Sequence, residues 1–578
     1  MNVAAFHAFV TIQGKDYPIE ALPGKLIATP SITGDAKDGL HLNLKLQNDG
    51  DQVFAIERIF WEADTAQLTP ELGFSSVYLE GWAMPTPCGK RLFTECDFDY
   101  NPDYVRFVVA DDREWRPKQP GKFRAENAVI FQNGALGEAG EKLPMLMMAF
   151  VTAKHHYGRF VIDAACSHAA VKCICGCDGR ELAPGQTLEA EELFVKIGNE
   201  GTEALLREFA DRLGKNCHAR LNNKAPLGWC SWYYYFEKVT EADMVENIDF
   251  FKAHQDDYPV KYIQLDDGYQ HDLGEWLICN EKFPHGLAWL AEYAKKNGFI
   301  PGLWLAPFQV AMDSEVWRKH PEYMIHDKDG KPIVSVPWRT GNCAILDGSN
   351  PGAREWLREL MRNVRKMGFD YVKLDFLEMA SSLRDGVLYD KTYTRFDALN
   401  SAMKAIREGF GDDGFILTCT APTAAIVGIA DFNRIGTDIT PYWTTGEPYD
   451  EAPNVPNVCR NVVNHAYMNH RLFVSDPDTI IVRDDNTKLT EQECALWRDA
   501  IMLGGGSLLL SDRMCSLTPH RAQWLKDIIR HHDEYDTVPV DRSWNYPPQI
   551  WRGTSRIDGH VVEGHFDFTA HTSEIVKK

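Results

Sequence analysis

The sequence predicts a multidomain protein of mixed α/β and β type. A central (β/α)8 barrel of the TIM type is expected between an N-terminal β-sandwich and a small C-terminal antiparallel β-sheet. Three observations predict this. Alternating apolar runs fill residues 1–220, strands alternate with amphipathic helices over 221–530, and short strands return over 531–578.

In the first region, apolar alternation is clearest at 41–46, 104–109 and 145–151, with Gly, Asp and Asn clusters between the runs. That spacing fits an antiparallel sandwich. A helix is expected over 203–213, followed by a polar linker over 214–226. Cys173, Cys175 and Cys177 alternate, so all three fall on one face of a strand. They form no CxxC pair and no His follows at ligand distance, so inert thiols are expected there rather than a zinc site.

From residue 227 the strands are expected at 227–235, 262–267, 300–308, 371–376, 415–420, 433–438, 472–476 and 507–512. Amphipathic helices at 242–254, 353–367, 395–408 and 491–503 fall between them. Apolar strands that each end in polar groups match a parallel barrel, whose functional groups gather at the C-terminal mouth. The long segment 309–352 is expected to cover that mouth. The tail, with strands near 549–552 and 560–568, is too short for a core of its own and should dock on the barrel.

Composition narrows the function. A net charge of −22 and the lack of a basic run disfavour nucleic acid. No window approaches the ~18 apolar residues of a membrane span. The first residues lack a basic, then apolar, leader pattern, so no signal peptide is expected. The 14 Cys are too sparse for a disulfide scaffold, which points to a reducing, cytoplasmic setting. Sixteen Trp and 21 Tyr would suit stacking on sugar rings, although most single aromatics pack cores.

The strand ends assemble a site. They offer Trp232, then Asp266 and Asp267, then Trp304, then Lys373 and Asp375, then Cys419, then Arg434 and Asp438, with Asp476 and Asp478 on the seventh. Lys373 and Asp375 are two apart and share a strand face, and the lysine favours an ionised carboxylate. Asp438 lies on another strand, where burial and other acids would help it hold a proton. An isolated Asp at a strand end is often only a helix cap, but so many polar strand ends in one register argue for a site. Two such acids suit acid/base chemistry at a sugar acetal. Asp266 and Asp267 are released from alternation by Gly268 and suit adjacent hydroxyls, or a Mg²⁺. Zinc is disfavoured, because the chain has no His-Glu-x-x-His.

At these residues the chain resembles glycoside hydrolase family 36. The matching stretches, in family order, are Gly228-Trp-Cys-Ser-Trp-Tyr-Tyr-Tyr-Phe, Gln264-Leu-Asp-Asp-Gly-Tyr, Gly302-Leu-Trp-Leu-Ala-Pro-Phe, Tyr371-Val-Lys-Leu-Asp-Phe, Arg434-Ile-Gly-Thr-Asp-Ile-Thr-Pro-Tyr-Trp and Asp476-Pro-Asp. The resemblance implies a retaining α-galactosidase acting on small α-galactosides, with no cofactor, no metal and possible homo-oligomers. It implies Asp375 as nucleophile and Asp438 as general acid/base. Asp266 and Asp267 would take the O4 and O6 hydroxyls, Lys373 O3 and O4, and Arg434 the O2 side. Trp232 and Trp304 would wall the ring, and Trp82 would reach the mouth from the N-terminal domain.

The fifth-strand motif departs from the family's usual Gly-Cys-Gly-x-Pro-Leu. Here it reads Thr418-Cys-Thr-Ala-Pro-Thr. Thr420 and Thr423 therefore keep an α-N-acetylgalactosaminidase open, and a raffinose-synthase-like transglycosylase remains a second alternative. A non-catalytic sugar-binding protein and a metal-dependent hydrolase are the remote ones.

Overall fold

A computed structural model describes residues 1–35, 37–101, 118–133, 143–335, 341–381, 385–542 and 546–578. The expected run at 104–109 lies outside the described residues.

The N-terminal region folds as two antiparallel sheets of six and eight strands. Strand alternation builds their shared core: Leu40, Leu42, Leu44 and Leu46, every second residue of Gly39–Asn48, all point inward. Cys173, Cys175 and Cys177 join that core from strand His168–Leu182. Burial pushes all three thiols up, as expected of inert packing groups. Helix Thr202–Asn216 follows, three residues longer at its C-terminus than the sequence suggests.

The central sheet is wholly parallel and has nine paired segments. They make eight strands, because the seventh is broken at Pro477, which has no N–H to give a ladder. Val474–Asp476 pairs with the sixth strand, Phe432–Arg434, and Thr479–Ile480 pairs with the eighth, Leu508–Leu510. Ser507 N donates to Ser475 O at 2.8 Å and joins the two ends of the sheet. Several barrel helices begin at side-chain caps. Thr240, Thr394 and Thr490 each form a reciprocal capping box with an acid three residues on.

Inside the barrel, residues two apart form columns. On strand Tyr371–Leu374 and just beyond it these are Tyr371, Lys373 and Asp375; on Tyr262–Leu265 they are Tyr262, Gln264 and Asp266. The lower layer is an apolar plug of Tyr262, Tyr371, Leu417, Phe432 and Val474. Gly302 makes room for it, since a Cβ there would lie 2.3 Å from the Tyr371 ring.

Several strands stop earlier than expected. The first ends at Cys230, and Trp232–Tyr235 is a short helix. Ser231 drives the change: its hydroxyl accepts from Asp266 N, and Tyr233 N turns away to donate to Ser511. Asp438 thus sits on a loop four residues past its strand.

The C-terminal sheet, Tyr535–Pro539, Ile550–Ser555, Val561–Asp567 and Thr572–Lys577, docks on helix Glu491–Gly504, where Thr537 Oγ1 donates to Leu503 O. On the other side, the N-terminal segment 80–88 inserts against the barrel. Ala83 pairs with Pro422, Thr423 N donates to Trp82 O, and Asn461 Nδ2 donates to Met84 O.

Candidate active site

Asp375 and Asp438, from different strands, line one cavity of about 250 Å³. Thr420, Phe376 and Thr437 complete its barrel side. Met84, Pro85 and Asn101 come from the N-terminal region, and Glu447, Glu451, Ala452 and Pro453 from the loop after the sixth strand.

Asp375 is oriented by three donors or cations. Trp304 Nε1 donates to Oδ2 at 3.0 Å, Phe376 N donates to Oδ1 at 2.8 Å, and Lys373 Nζ stands 3.9 Å from Oδ2. Lys373 also lies 3.1 Å from Asp266 Oδ2. Burial works against its charge, but Asp266 and Asp375 outweigh it and hold the lysine protonated well above its usual range. Asp266 further accepts from Gln264 Nε2 at 2.6 Å, and Gln264 in turn accepts from Tyr371 Oη. Asp267 accepts from Gln270 Nε2. Gly268, at φ 115°, turns the chain there; a Cβ would meet the Glu237 backbone at 2.7 Å.

Asp438 is half exposed and bonds Arg434 Nη1 at 3.0 Å. The same guanidinium reaches Asp478 at 2.8 Å and Asp476 at 3.4 Å. One cation thus faces three carboxylates, and the cluster can hold a proton where a lone Arg–Asp pair would not. Burial pushes the Asp478 carboxyl up to about 7, against the pull of Arg434 and with Asp438 and Asp476 adding to the rise. Tyr233 Oη donates to it at 2.5 Å.

The other expected residues are placed as follows. Cys419 and Thr420 close the fifth strand, and Thr420 lines the cavity. Thr423 begins a short helix and meets the Trp82 carbonyl instead. Trp82 is buried edge-on against Tyr157, so the turn 83–86 hands the cavity wall to Met84 and Pro85. Trp232 packs edge-on against Phe236 rather than lining the cavity. None of the described residues of 309–352 lines it.

Two acids that the strand-end reasoning missed stand out. Glu378, three residues after Asp375, is 1% exposed, and its Oε2 has no partner. Burial, reinforced by Asp375, raises its carboxyl to about 8 despite a hydrogen bond with Thr420. Glu451 is raised to about 7, chiefly by burial. Glu378 lies two residues past the motif that ends at Phe376; Glu451 belongs to no pattern the sequence displays.

Among the described residues, two clusters bring three metal-type donors together: Glu80, Cys88 and His465, and Glu534, Asp558 and His560. In the first, His465 Nδ1 donates to Ile435 O and Nε2 faces Glu80 Oε1 at 2.8 Å. Both ring nitrogens are used, so the ring offers no lone pair to a metal. The second is an acidic group near the surface whose members bond one another.

The family profile named melibiase matches residues 188–397. Alpha-galactosidase Mel36A of Lactobacillus acidophilus is 29% identical over 222 residues, which is 36% of this chain and 29% of the relative. Alpha-galactosidase AgaA of Geobacillus stearothermophilus is 26% identical over 210 residues, 34% of this chain and 27% of the relative. A type blood alpha-D-galactosamine galactosaminidase of Flavonifractor plautii is 27% identical over 222 residues, 35% of this chain and 20% of the relative. The matched segments thus span well under a third of each of these relatives. In fold, the chain superposes on TtGalA, an alpha-galactosidase from Thermus thermophilus, with a TM-score of 0.69 at 21% identity, covering 95% of this chain and 97% of that one. The AgaA crystal structure gives 0.64 at 14% identity, with coverage of 97% and 75%. Over about a third of its length the chain is thus similar to the melibiase profile and to alpha-galactosidases, and in fold it is similar to a solved alpha-galactosidase of glycoside hydrolase family 36.

Proposed function

We propose that the chain is a retaining α-galactosidase that removes terminal α-linked galactose from small glycosides. The observation that supports this most is the shared cavity. Asp375, beside Lys373 and Trp304, faces the same space as the half-exposed Asp438. Asp375 Oδ attacks the anomeric carbon while Asp438 gives its proton to the leaving oxygen. Water then attacks the glycosyl-enzyme ester, Asp438 takes a proton from it, and Asp375 is released as carboxylate. Such chemistry places the two carboxyl groups ~5–5.5 Å apart. Trp304 N–H and the Lys373 ammonium hold Asp375 in aim. Asp266, Asp267 and Lys373 would take ring hydroxyls, and Arg434 orients Asp438.

Asp375→Ala should abolish turnover of p-nitrophenyl α-galactoside, and azide should restore it as a β-galactosyl azide product. Undiminished activity in that variant would end the assignment. A second reading, an enzyme for 2-acetamido or 2-amino sugars, is favoured by Thr420 at the cavity wall and by the galactosaminidase relative. Comparing aryl α-galactoside, α-N-acetylgalactosaminide and α-galactosaminide, with and without sucrose as acceptor, separates hydrolysis of each from transglycosylation. The domain division at 220 and 530, a cytoplasmic setting suggested by cysteines too sparse for a disulfide scaffold, and homo-oligomerisation belong to the same proposal. No helix among the described residues is long and apolar enough to cross a membrane.

A further inference from the structure

The fourth and fifth barrel strands, Tyr371–Leu374 and Phe415–Thr418, end side by side, and their last main-chain bond runs from Cys419 N to Leu374 O at 2.8 Å. Past it both chains turn left-handed: Phe376 holds φ at 55° and Thr420 at 56°. Neither a bulky nor a β-branched residue rests there without strain, so contacts outside each turn must hold it. One side chain supplies such a contact. Thr420 Oγ1 donates to Cys419 O at 2.7 Å and accepts from Leu377 N at 3.0 Å. It thus stands in for the next rung of the sheet and pins the residue directly after Phe376.

The consequence falls on Asp375. Its main chain is fixed, since Asp375 N donates to Leu305 O at 2.8 Å, but its carboxyl can rotate unless both oxygens are held. Trp304 Nε1 holds Oδ2, and Phe376 N holds Oδ1. The strained φ of Phe376 is the rotation about its own N–Cα bond, so relaxing it would swing that N–H away from the carboxyl. We propose that Thr420 is a positioning residue for the nucleophile: through its bond to Leu377 N it holds the Phe376 turn, and the turn aims Asp375 at the anomeric carbon. The chemistry in this proposal rests on the α-galactosidase reading. Thr420 also lines the cavity, so the rival role is direct contact with the substrate at C2, and the test separates the two.

The test uses the full chain and two pairs, wild type with Thr420→Val and Thr420→Ser with Thr420→Ala. Each pair differs at the hydroxyl, and the second serves if the valine variant does not fold. On p-nitrophenyl α-galactoside, kcat should be about tenfold or more lower without the hydroxyl, the scale of a misaimed reacting group. KM should hardly move, as for an interaction made only in the transition state. Equal kcat within the pairs overturns the proposal. On p-nitrophenyl 2-deoxy-α-galactoside, which has no C2 hydroxyl, the same loss should persist; its disappearance would assign Thr420 to substrate contact and overturn the proposal. A crystal structure of Thr420→Val or Thr420→Ala should show Phe376 N released from Asp375 Oδ1, and an intact bond overturns the proposal whatever the activity. No turnover of the galactoside by the wild type sinks the α-galactosidase reading, and the crystallographic result then decides by itself whether Thr420 aims Asp375.

Discussion

Replacing Glu378 with Gln should stabilise the protein, and the gain should grow with pH. Glu378 is buried beside the proposed nucleophile, with one carboxyl oxygen bonded to nothing. Its carboxyl is raised from 4.5 to about 8, first by burial and then by Asp375 and Asp438, with Thr420 opposing. The sign follows from linkage. Below pH 4.5 the group is protonated in both the folded and unfolded chains and favours neither. Between 4.5 and 8 the unfolded chain ionises and the folded one resists, so stability is lost as pH rises through that window. Each unit of difference is worth about 1.4 kcal/mol, giving about 5 kcal/mol over the whole range. Gln has nearly the same shape and cannot ionise. Urea unfolding followed by tryptophan fluorescence at pH 5 and pH 8 measures the difference. The advantage of Glu378→Gln over wild type should widen by roughly 4 kcal/mol between those values. A difference independent of pH would refute the reasoning. The neutral acid also bears on the proposed chemistry, since an ionised Glu378 would add a like charge beside the proposed nucleophile.

Two further perturbations follow from contacts around the cavity. His465→Leu strands Glu80, which otherwise accepts from His465, Tyr467, Tyr78 and Gly81 N. It should cost about 3–5 kcal/mol in urea unfolding, the range for a broken buried pair. Burial opposes both charges, yet Cys88 and Glu80 hold His465 well above 6.5, and His465 holds Glu80 below 4.5. The histidine contribution is complete below pH 6.5 and lost as pH climbs through its raised value. The glutamate contribution is complete above 4.5 and lost as pH falls through its lowered value, so pH 6 shows the full effect. Thr420 holds φ at 56°, a left-handed position that a β-branched residue adopts only under strain, and its hydroxyl accepts from Leu377 N. Thr420→Gly should unfold at higher urea than Thr420→Ala by about 1 kcal/mol, because only glycine is free of that strain.

The parts of this fold legible in the sequence are those that depend on neighbours along the chain. Barrel strands and helices are periodic, and their caps are local, so their order could be read directly. Asp375, Lys373 and Asp266 were legible for the same reason, since strand alternation alone sends them to the barrel interior. The reading fails where a contact between distant segments decides. The family resemblance puts Trp82 at the mouth, but the Ala83–Pro422 bridge and the Thr423–Trp82 bond turn the chain there, and Met84 and Pro85 line the cavity. For Arg434, which the family resemblance sets on the O2 side of the sugar, distant contacts add partners that the sequence does not display. Strand seven breaks at Pro477 and brings Asp476 and Asp478 onto the guanidinium, which makes it an electrostatic hub.

Glu451 is the limiting case. Nothing within several residues of it resembles a motif, and its meaning comes from Asn101, 350 positions away in sequence, and from Thr437. A cavity wall shared by separate parts of the chain has to be built this way. Lys373 and Asp375 stand at a rigid strand end, whereas the outer cavity wall is drawn from loops in separate parts of the chain, where sequence can change without disturbing the barrel. The inner residues of the cavity are therefore the ones periodicity reveals, and its outer wall emerges only when the loops are seen together.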